Sequence, residues 1–281
     1  MDKGLIQDIK SKTRTEINRL SVKLFTLNCG KLFEYITKRA KAINIFLAVT
    51  FIIFLSLNIA FNRSQNLNLL YKNNLDFKGV IFSFILMIPS FLFHELFHGI
   101  SACNLKIMPK SINAVLYFGV FPLIYIKIPN MYSIKYTRRI QILAAGVIGN
   151  LYLMNLSLFL YYITHNIFFL ALLWAQVNII FSNITPLQLT DSYFILSTII
   201  RVPNIRTRFF NFVSHPSKKI HTKVLIYGLC SIILTFISTF YFLQLVLSRL
   251  NLQIVSSNLI IYILSLISVI LYLIVIAVKY K

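Results

Sequence analysis

The chain has 281 residues, of which 58% are apolar and only 12% are charged. An ordinary soluble domain is about half apolar and about a quarter charged, so this composition excludes a typical soluble protein. It also excludes a disordered, collagen-like or disulfide-stapled chain, because apolar residues dominate and the 3 cysteines are far apart. The apolar residues lie in long runs, and several runs reach the roughly 20 residues that cross a bilayer. The composition therefore predicts an integral membrane protein.

Six apolar stretches follow a basic N-terminal arm at 1–42. They lie at approximately 43–61, 80–102, 142–163, 167–181, 224–247 and 258–278. The fourth is short for a span, and Pro186 predicts that its helix gives way there to irregular backbone. We predict an all-α polytopic membrane protein of about six transmembrane helices, with a single membrane domain at 43–281. The arm is expected either to lie as a helix on the inner leaflet or to be a solvated basic tail.

The distribution of charge predicts the orientation of the chain. There are 28 Lys and Arg against 7 Asp and Glu, a balance that would raise nucleic-acid binding in a soluble protein. If the arm is cytoplasmic, the connecting segments and the tail on its side of the membrane carry 24 of the 28 basic residues. This is the usual bias of cytoplasmic loops, so we expect a lipid bilayer and no nucleic acid as the partner. The prediction is a multi-pass cell-membrane protein with both termini in the cytoplasm.

One connecting segment, 103–140, contains a stretch that is rich in aromatic and β-branched residues. It runs from 115 to 126 and is interrupted by Gly119 and Pro122, so it is too broken for a spanning helix. We expect an interfacial β-hairpin or a re-entrant loop on the cytoplasmic side.

The second apolar stretch carries the clearest chemical motif. The residues Phe93-His-Glu-Leu-Phe-His98 match the pattern H-E-x-x-H on a predicted helix. His94 and His98 are one turn apart and project from one face, so their imidazoles can bind one zinc ion. Glu95, beside the first histidine, is placed to accept a proton from water at the metal. Acids are rare inside membranes, which favours a functional role for this one.

A catalytic zinc site usually has a third protein ligand. No glutamate follows Glu95, and Ser101 and Asn104 occupy the positions that an extended H-E-x-x-H-x-x-G-x-x-H motif would require. The other three histidines fall in predicted loops, at positions 165, 215 and 221. Asp191 remains, just past the inner end of the fourth stretch and at about the membrane depth of the motif. Topology and elimination therefore select Asp191.

These residues resemble the site-2 protease family of intramembrane zinc metalloproteases. That family pairs HExxH with a later N-x-x-P-x-x-x-L-D-G, which here corresponds to the run from Asn183 to Ser192. Its A-G-P-x-x-N motif is similar to the run from Ala145 to Asn150. The resemblance covers spans two to four, about 80–196, and implies a three-helix catalytic core there. It also implies that Asn183, and with it Asn150, positions the substrate.

The chain departs from the family pattern at four positions, which are Phe97, Val147, Thr190 and Ser192. Of these, Phe97 and Ser192 would narrow the space around the metal. The stretch that begins at Asp191 is also similar to a bacterial branch of peptide zinc metalloproteases, which implies peptide maturation or export. Gly146 and Gly149 have either an active-site or a helix-packing role, and Asn150 and Asn183 are alternatively interhelical hydrogen-bond partners.

The predicted function is zinc-dependent hydrolysis of a peptide bond near the cytoplasmic face, with Zn²⁺ as the cofactor. The substrate would be a membrane-associated peptide or a single-span protein. In this mechanism His94, His98 and Asp191 bind zinc, and Glu95 is the catalytic base. The alternative is a non-proteolytic zinc-binding membrane protein that acts in peptide export, immunity or chaperoning.

Overall fold

The computed structural model describes most of the chain and is mainly helical. The described residues are 21–61, 77–117, 121–131, 133–185, 190–202, 204–215, 220–249 and 258–279. The strands are β1 (Ser21–Asn28), β2 (Ser111–Tyr117) and β3 (Phe121–Lys127). The helices are α1 (Gly30–Phe61), α2 (Phe77–Asn104), α3 (Tyr136–Thr164), α4 (Ile167–Ile184), α5 (Asp191–Ile200), α6 (Ile205–Ser214), α7 (Thr222–Arg249) and α8 (Asn258–Lys279).

Five helices in the described part of the chain are long and apolar enough to cross a membrane, namely α1, α2, α3, α4 and α7. The coarse prediction of a polytopic, mostly helical membrane protein is therefore confirmed. The sixth predicted stretch forms α8, and the number six itself stays a prediction. Large apolar side chains cover the outward face of α1, as at Ile45, Phe46 and Ile52. Such a surface suits lipid and not water.

The three strands form one antiparallel sheet in the order β1-β2-β3. β2 and β3 make the predicted hairpin, with Ser111 paired to Lys127 and Tyr117 to Phe121. One part of the predicted arm, residues 21–28, differs from both expectations, because it pairs with β2 as a strand; α1 begins at Gly30, within the range given to the arm. The strand that pairs with β1 lies more than eighty residues later in the chain, so local sequence patterns cannot reveal the pairing. Across this pair of strands, Thr26 donates its hydroxyl hydrogen to Asn113 Oδ1 at 2.9 Å. Residues 1–20 of the arm lie outside the described residues.

The chain divides into two compact units, 1–180 and 181–281. In the first unit, α1 and α2 pack on each other and on α3, and α2 also packs on β3. Phe33 is fully buried there among Ile36, Cys103 and Ile112, which joins the start of α1 to the end of α2 and to the sheet. The sheet and three long helices therefore form one framework around α2.

The second unit has its own apolar core. This core consists of Tyr193, Ile205, Phe209, Phe210, Val224 and Tyr227. It brings the short helices α5 and α6 against the start of α7. A methyl group at Gly228 would overlap the ring of Phe209, so α7 needs a glycine where α6 approaches it.

Candidate metal centre

The two histidines of the motif lie on one buried face of α2. His94 is 4% exposed and His98 is 5% exposed. Their Nε2 atoms are 3.1 Å apart. Two imidazole nitrogens on one tetrahedral zinc ion, with bonds of about 2.0–2.1 Å, would be about 3.3 Å apart. The observed distance is that of a hydrogen bond between the two rings, and it is also close to the separation of two ligands that share one small cation.

Helix α3 supplies the outer partners of both imidazoles. Ile142, Gly146 and Asn150 follow at intervals of four and so share one face of the helix. The carbonyl of Ile142 lies 2.7 Å from Nδ1 of His98. A carbonyl only accepts, so Nδ1 of His98 carries the proton and Nε2 keeps its lone pair for a metal. The Asn150 side-chain amide lies 2.9 Å from Nδ1 of His94.

Gly146 provides the space in front of the two imidazoles. A Cβ at this position would overlap Nε2 of both His94 and His98. The close approach of α3 to the two imidazoles at this position agrees with both interpretations of Gly146, a role at the site and helix packing. Any side chain at position 146 would overlap the two imidazoles, so a glycine is needed for α3 to approach them here.

Gly149 serves a different purpose on the same helix. A Cβ there would lie 2.7 Å from the Phe97 ring, so this glycine allows close packing of α3 on α2. Phe97 belongs to an aromatic cluster with Phe93 and Tyr152. Phe97, one of the positions that depart from the pattern of the family that the sequence resembles, therefore packs against Gly149, which leaves room for its ring.

Asp191 is the first residue of α5, where the partial positive charge of the helix N-terminus favours a carboxylate. The candidate ligand atoms of His94, His98 and Asp191 all lie within 4.8 Å of one another. Two neutral imidazoles and one carboxylate make a donor set that can hold a metal ion. The histidines are buried and Asp191 is partly buried. The structure thus contains a candidate metal site formed by the three predicted ligands.

The unusual neighbours of Asp191 have a structural explanation. Thr190 donates its hydroxyl hydrogen to the carbonyl of Thr185 at 3.0 Å. Ser192 donates its hydroxyl hydrogen to the carbonyl of Asn183. Both hydroxyls thus tie the start of α5 to the end of α4. The Leu and Gly of the family pattern could not make these bonds, because neither has a side-chain donor.

Glu95 is half-buried on α2, about 100° around the helix from His94. Its carboxylate oxygen Oε2 accepts a hydrogen bond of 2.7 Å from the backbone N–H of Ile126 in β3. The hairpin therefore holds this carboxylate in place. Sequence reasoning identified Glu95 and the hairpin separately, but had no signal for the bond between them.

Two further polar residues near the site were not identified from the sequence. Ser90 lies one turn before His94 on the same face of α2, and Gln176 of α4 donates to its hydroxyl at 2.6 Å. Ser90 is 1% exposed and Gln176 is fully buried. A glutamine inside an apolar stretch is itself a signal of a polar site within the membrane.

The remaining candidates lie elsewhere. Asn183 is near the C-terminal end of α4, where its carbonyl binds Ser192, and its proposed contact with substrate stays a prediction. The three other histidines, at 165, 215 and 221, are all exposed and follow or precede helices, as expected.

The fold and the site together define a membrane protein with a buried candidate metal centre. No protein-family model, no curated protein and no solved structure matches the chain.

Proposed function

We propose that the protein is an intramembrane zinc metalloprotease, which hydrolyses a peptide bond of a membrane-associated peptide or single-span protein. The observation that carries the proposal is the convergence of His94 Nε2 and His98 Nε2, 3.1 Å apart, in front of a glycine. This pair lies in a helix apolar enough to span a membrane.

Zinc is the metal that the donor set favours. Imidazole nitrogen and a single carboxylate oxygen are its common ligands in sites that keep one position open for reaction. Bound here, it would polarise a carbonyl and make water nucleophilic near neutral pH. The chain contributes the ligand geometry through Ile142, Gly146 and Asn150, which α3 presents together.

Glu95 supplies the proton transfer in this proposal. It accepts a proton from the attacking water and passes it to the leaving amine. The hydrogen bond from Ile126 holds the carboxylate through one oxygen, Oε2. A carboxylate has two oxygens with about four lone-pair sites, so this bond still leaves acceptor capacity for a proton.

The substrate must be presented as an extended strand, because an intact helix keeps its amides bonded internally. In the proposed topology the site is reached from the cytoplasm. β3, which lies at the edge of the sheet and packs on α2, suits such a strand, since an edge strand offers backbone N–H and C=O groups for pairing, apart from the N–H of Ile126, which donates to Glu95.

A second candidate function is a non-proteolytic zinc-binding membrane protein in peptide export, immunity or chaperoning. The hydrogen bond between Glu95 and Ile126 favours it, because the same bond would be expected of a purely structural glutamate that anchors the hairpin.

Replacement of Glu95 by Gln separates the two candidates. Gln keeps an oxygen that accepts from Ile126 N–H, so the hairpin stays anchored while the base is lost. We expect cleavage to fall by about 10²–10⁴-fold and the zinc content to stay as in wild type. Quantitative mass spectrometry of membrane peptides from cells that express either form should show precursors that accumulate only with Glu95→Gln.

The chain offers a matched control in Glu34, an exposed acid paired with Lys38 at 3.0 Å. Glu34→Gln should leave the peptide pattern unchanged. Identical patterns for wild type and Glu95→Gln would refute the protease and leave the non-proteolytic candidate.

A further inference from the structure

We infer that Asn150 is a positioning residue for the metal ligand His94: its side-chain oxygen accepts the Nδ1 proton and so directs the Nε2 lone pair to the metal. The inference rests on the metal site of the proposed function. It gives Asn150 a role different from contact with substrate.

The first step concerns the two imidazoles, which have unequal partners. His98 meets a backbone carbonyl, which fixes its tautomer without any contribution from a side chain. His94 meets an amide, and an amide can present either its NH₂ or its oxygen. The tautomer of His94 therefore depends on which way the Asn150 side chain is turned.

The second step concerns the orientation of that amide. With Nδ2 toward His94, Nδ1 of the imidazole accepts and the proton must sit on Nε2, which then cannot bind a metal. In that orientation Oδ1 of Asn150 is buried and, within the described part of the chain, has no hydrogen-bond partner. Nitrogen and oxygen of such an amide are assigned from the hydrogen-bond network, so the reversed orientation is equally compatible with the positions of the atoms.

The third step is the requirement of the metal. Both Nε2 atoms must offer lone pairs, so the Nδ1 proton of His94 needs an acceptor. Asn150 Oδ1 in the reversed orientation is that acceptor, at the 2.9 Å that separates the two side chains. Asn150 is fully buried, so water cannot easily substitute for it.

The test compares three purified variants in detergent, with the zinc dissociation constant measured by competition with a chelator. Asn150→Leu removes the acceptor at similar volume and should weaken zinc binding by about 10–100-fold. Asn150→Asp has the same shape but only acceptor oxygens, so it should bind zinc at least as tightly as wild type. If the amide instead donates to His94, Asp should weaken zinc binding as Leu does, and the inference is wrong.

Asn155 provides the matched control, because it is a buried asparagine on the same helix whose side chain meets Asn58 and not a histidine. Asn155→Leu should keep the zinc affinity of wild type. If it loses as much zinc affinity as Asn150→Leu, the loss reflects a general disturbance of the helix packing and the inference is wrong. Should Asn150→Leu fail to fold, Asn150→Asp alone decides between the two orientations. A wild-type protein that binds no zinc would refute the proposed function. If wild type binds zinc and Asn150→Leu binds it equally well, only the inference about Asn150 is wrong.

Discussion

Two helix contacts, that of α2 with α3 and that of α7 with α8, have the same four-residue spacing of buried residues but differ in the chemistry of those residues. Buried residues recur at intervals of four in both: Ser90, His94 and His98 on α2, Ile142, Gly146 and Asn150 on α3, and Ile261, Ser265 and Val269 on α8. Between α7 and α8 the contact is closed by rings, with Tyr262 stacked on Phe240 at 4.3 Å. The periodicity thus determines which residues lie at a helix contact, and the chemistry of their side chains determines whether the contact can bind a metal.

A buried polar residue at the α7–α8 contact bonds within its own helix. Ser265 is fully buried and donates its hydroxyl hydrogen to the carbonyl of Ile261 in its own helix. His94 and His98, by contrast, bond to groups on α3. Among the described residues, the two histidines thus join α2 to α3 by hydrogen bonds, whereas Ser265 bonds within its own helix.

The largest effect is expected from Asp191, the ligand that completes the donor set. Asp191→Ala leaves two imidazoles and should weaken zinc binding by at least on the order of 100-fold, more than the loss of an outer partner. Ser197→Ala, on the same short helix, removes only a bond to the carbonyl of Phe194 and should keep the zinc affinity of wild type. Titration with a chelator compares the two variants. Equal zinc affinity in Asp191→Ala and wild type would place the third ligand elsewhere.

Gly146→Ala should convert the metal site into an ordinary helix contact. The added methyl group displaces the two Nε2 atoms, so we expect about a 10–100-fold loss of zinc affinity. Gly149→Ala meets the Phe97 ring instead and should cost about 1–3 kcal/mol of stability with zinc binding retained. Thermal unfolding together with zinc titration separates the two outcomes. If both variants lose zinc alike, Gly146 has no special relation to the ligands.

A smaller effect is expected at the hairpin. Ile126→Pro removes the N–H that holds Glu95, and proline is tolerated on an edge strand where the N–H points away from the ladder. We expect roughly tenfold slower cleavage, because the base is no longer held in place, with unchanged zinc content. The measurement is the cleavage rate of a precursor identified with Glu95→Gln. An unchanged rate would show that the hairpin does not position the base.

The smallest effect is expected at the apolar contact. Ser265→Ala removes only an intrahelical bond and should change stability by less than about 0.5 kcal/mol. Zinc binding should be that of wild type. A loss of zinc on this substitution would contradict the separation of the two helix contacts.

The sequence predicted well the features that depend on nearby residues. The apolar stretches, the hairpin and the one-turn separation of His94 and His98 all follow from local patterns. Asp191 was identified from its depth in the membrane and from the absence of other acids. Its position beside the histidines agrees with that prediction.

The features that were missed depend on partners distant in the chain. The pairing of β1 with β2, the bond between Glu95 and Ile126, and the bond between Gln176 and Ser90 join residues 31 to 96 positions apart. No local pattern encodes such pairs, because either residue alone has an ordinary explanation.

The zinc content of the purified protein tests the central claim most directly. Mass spectrometry of metals should find a single zinc ion per chain in wild type and none in the double variant His94→Ala, His98→Ala, with both proteins folded by circular dichroism. Wild-type protein without zinc, or a double variant that keeps it, would contradict the account.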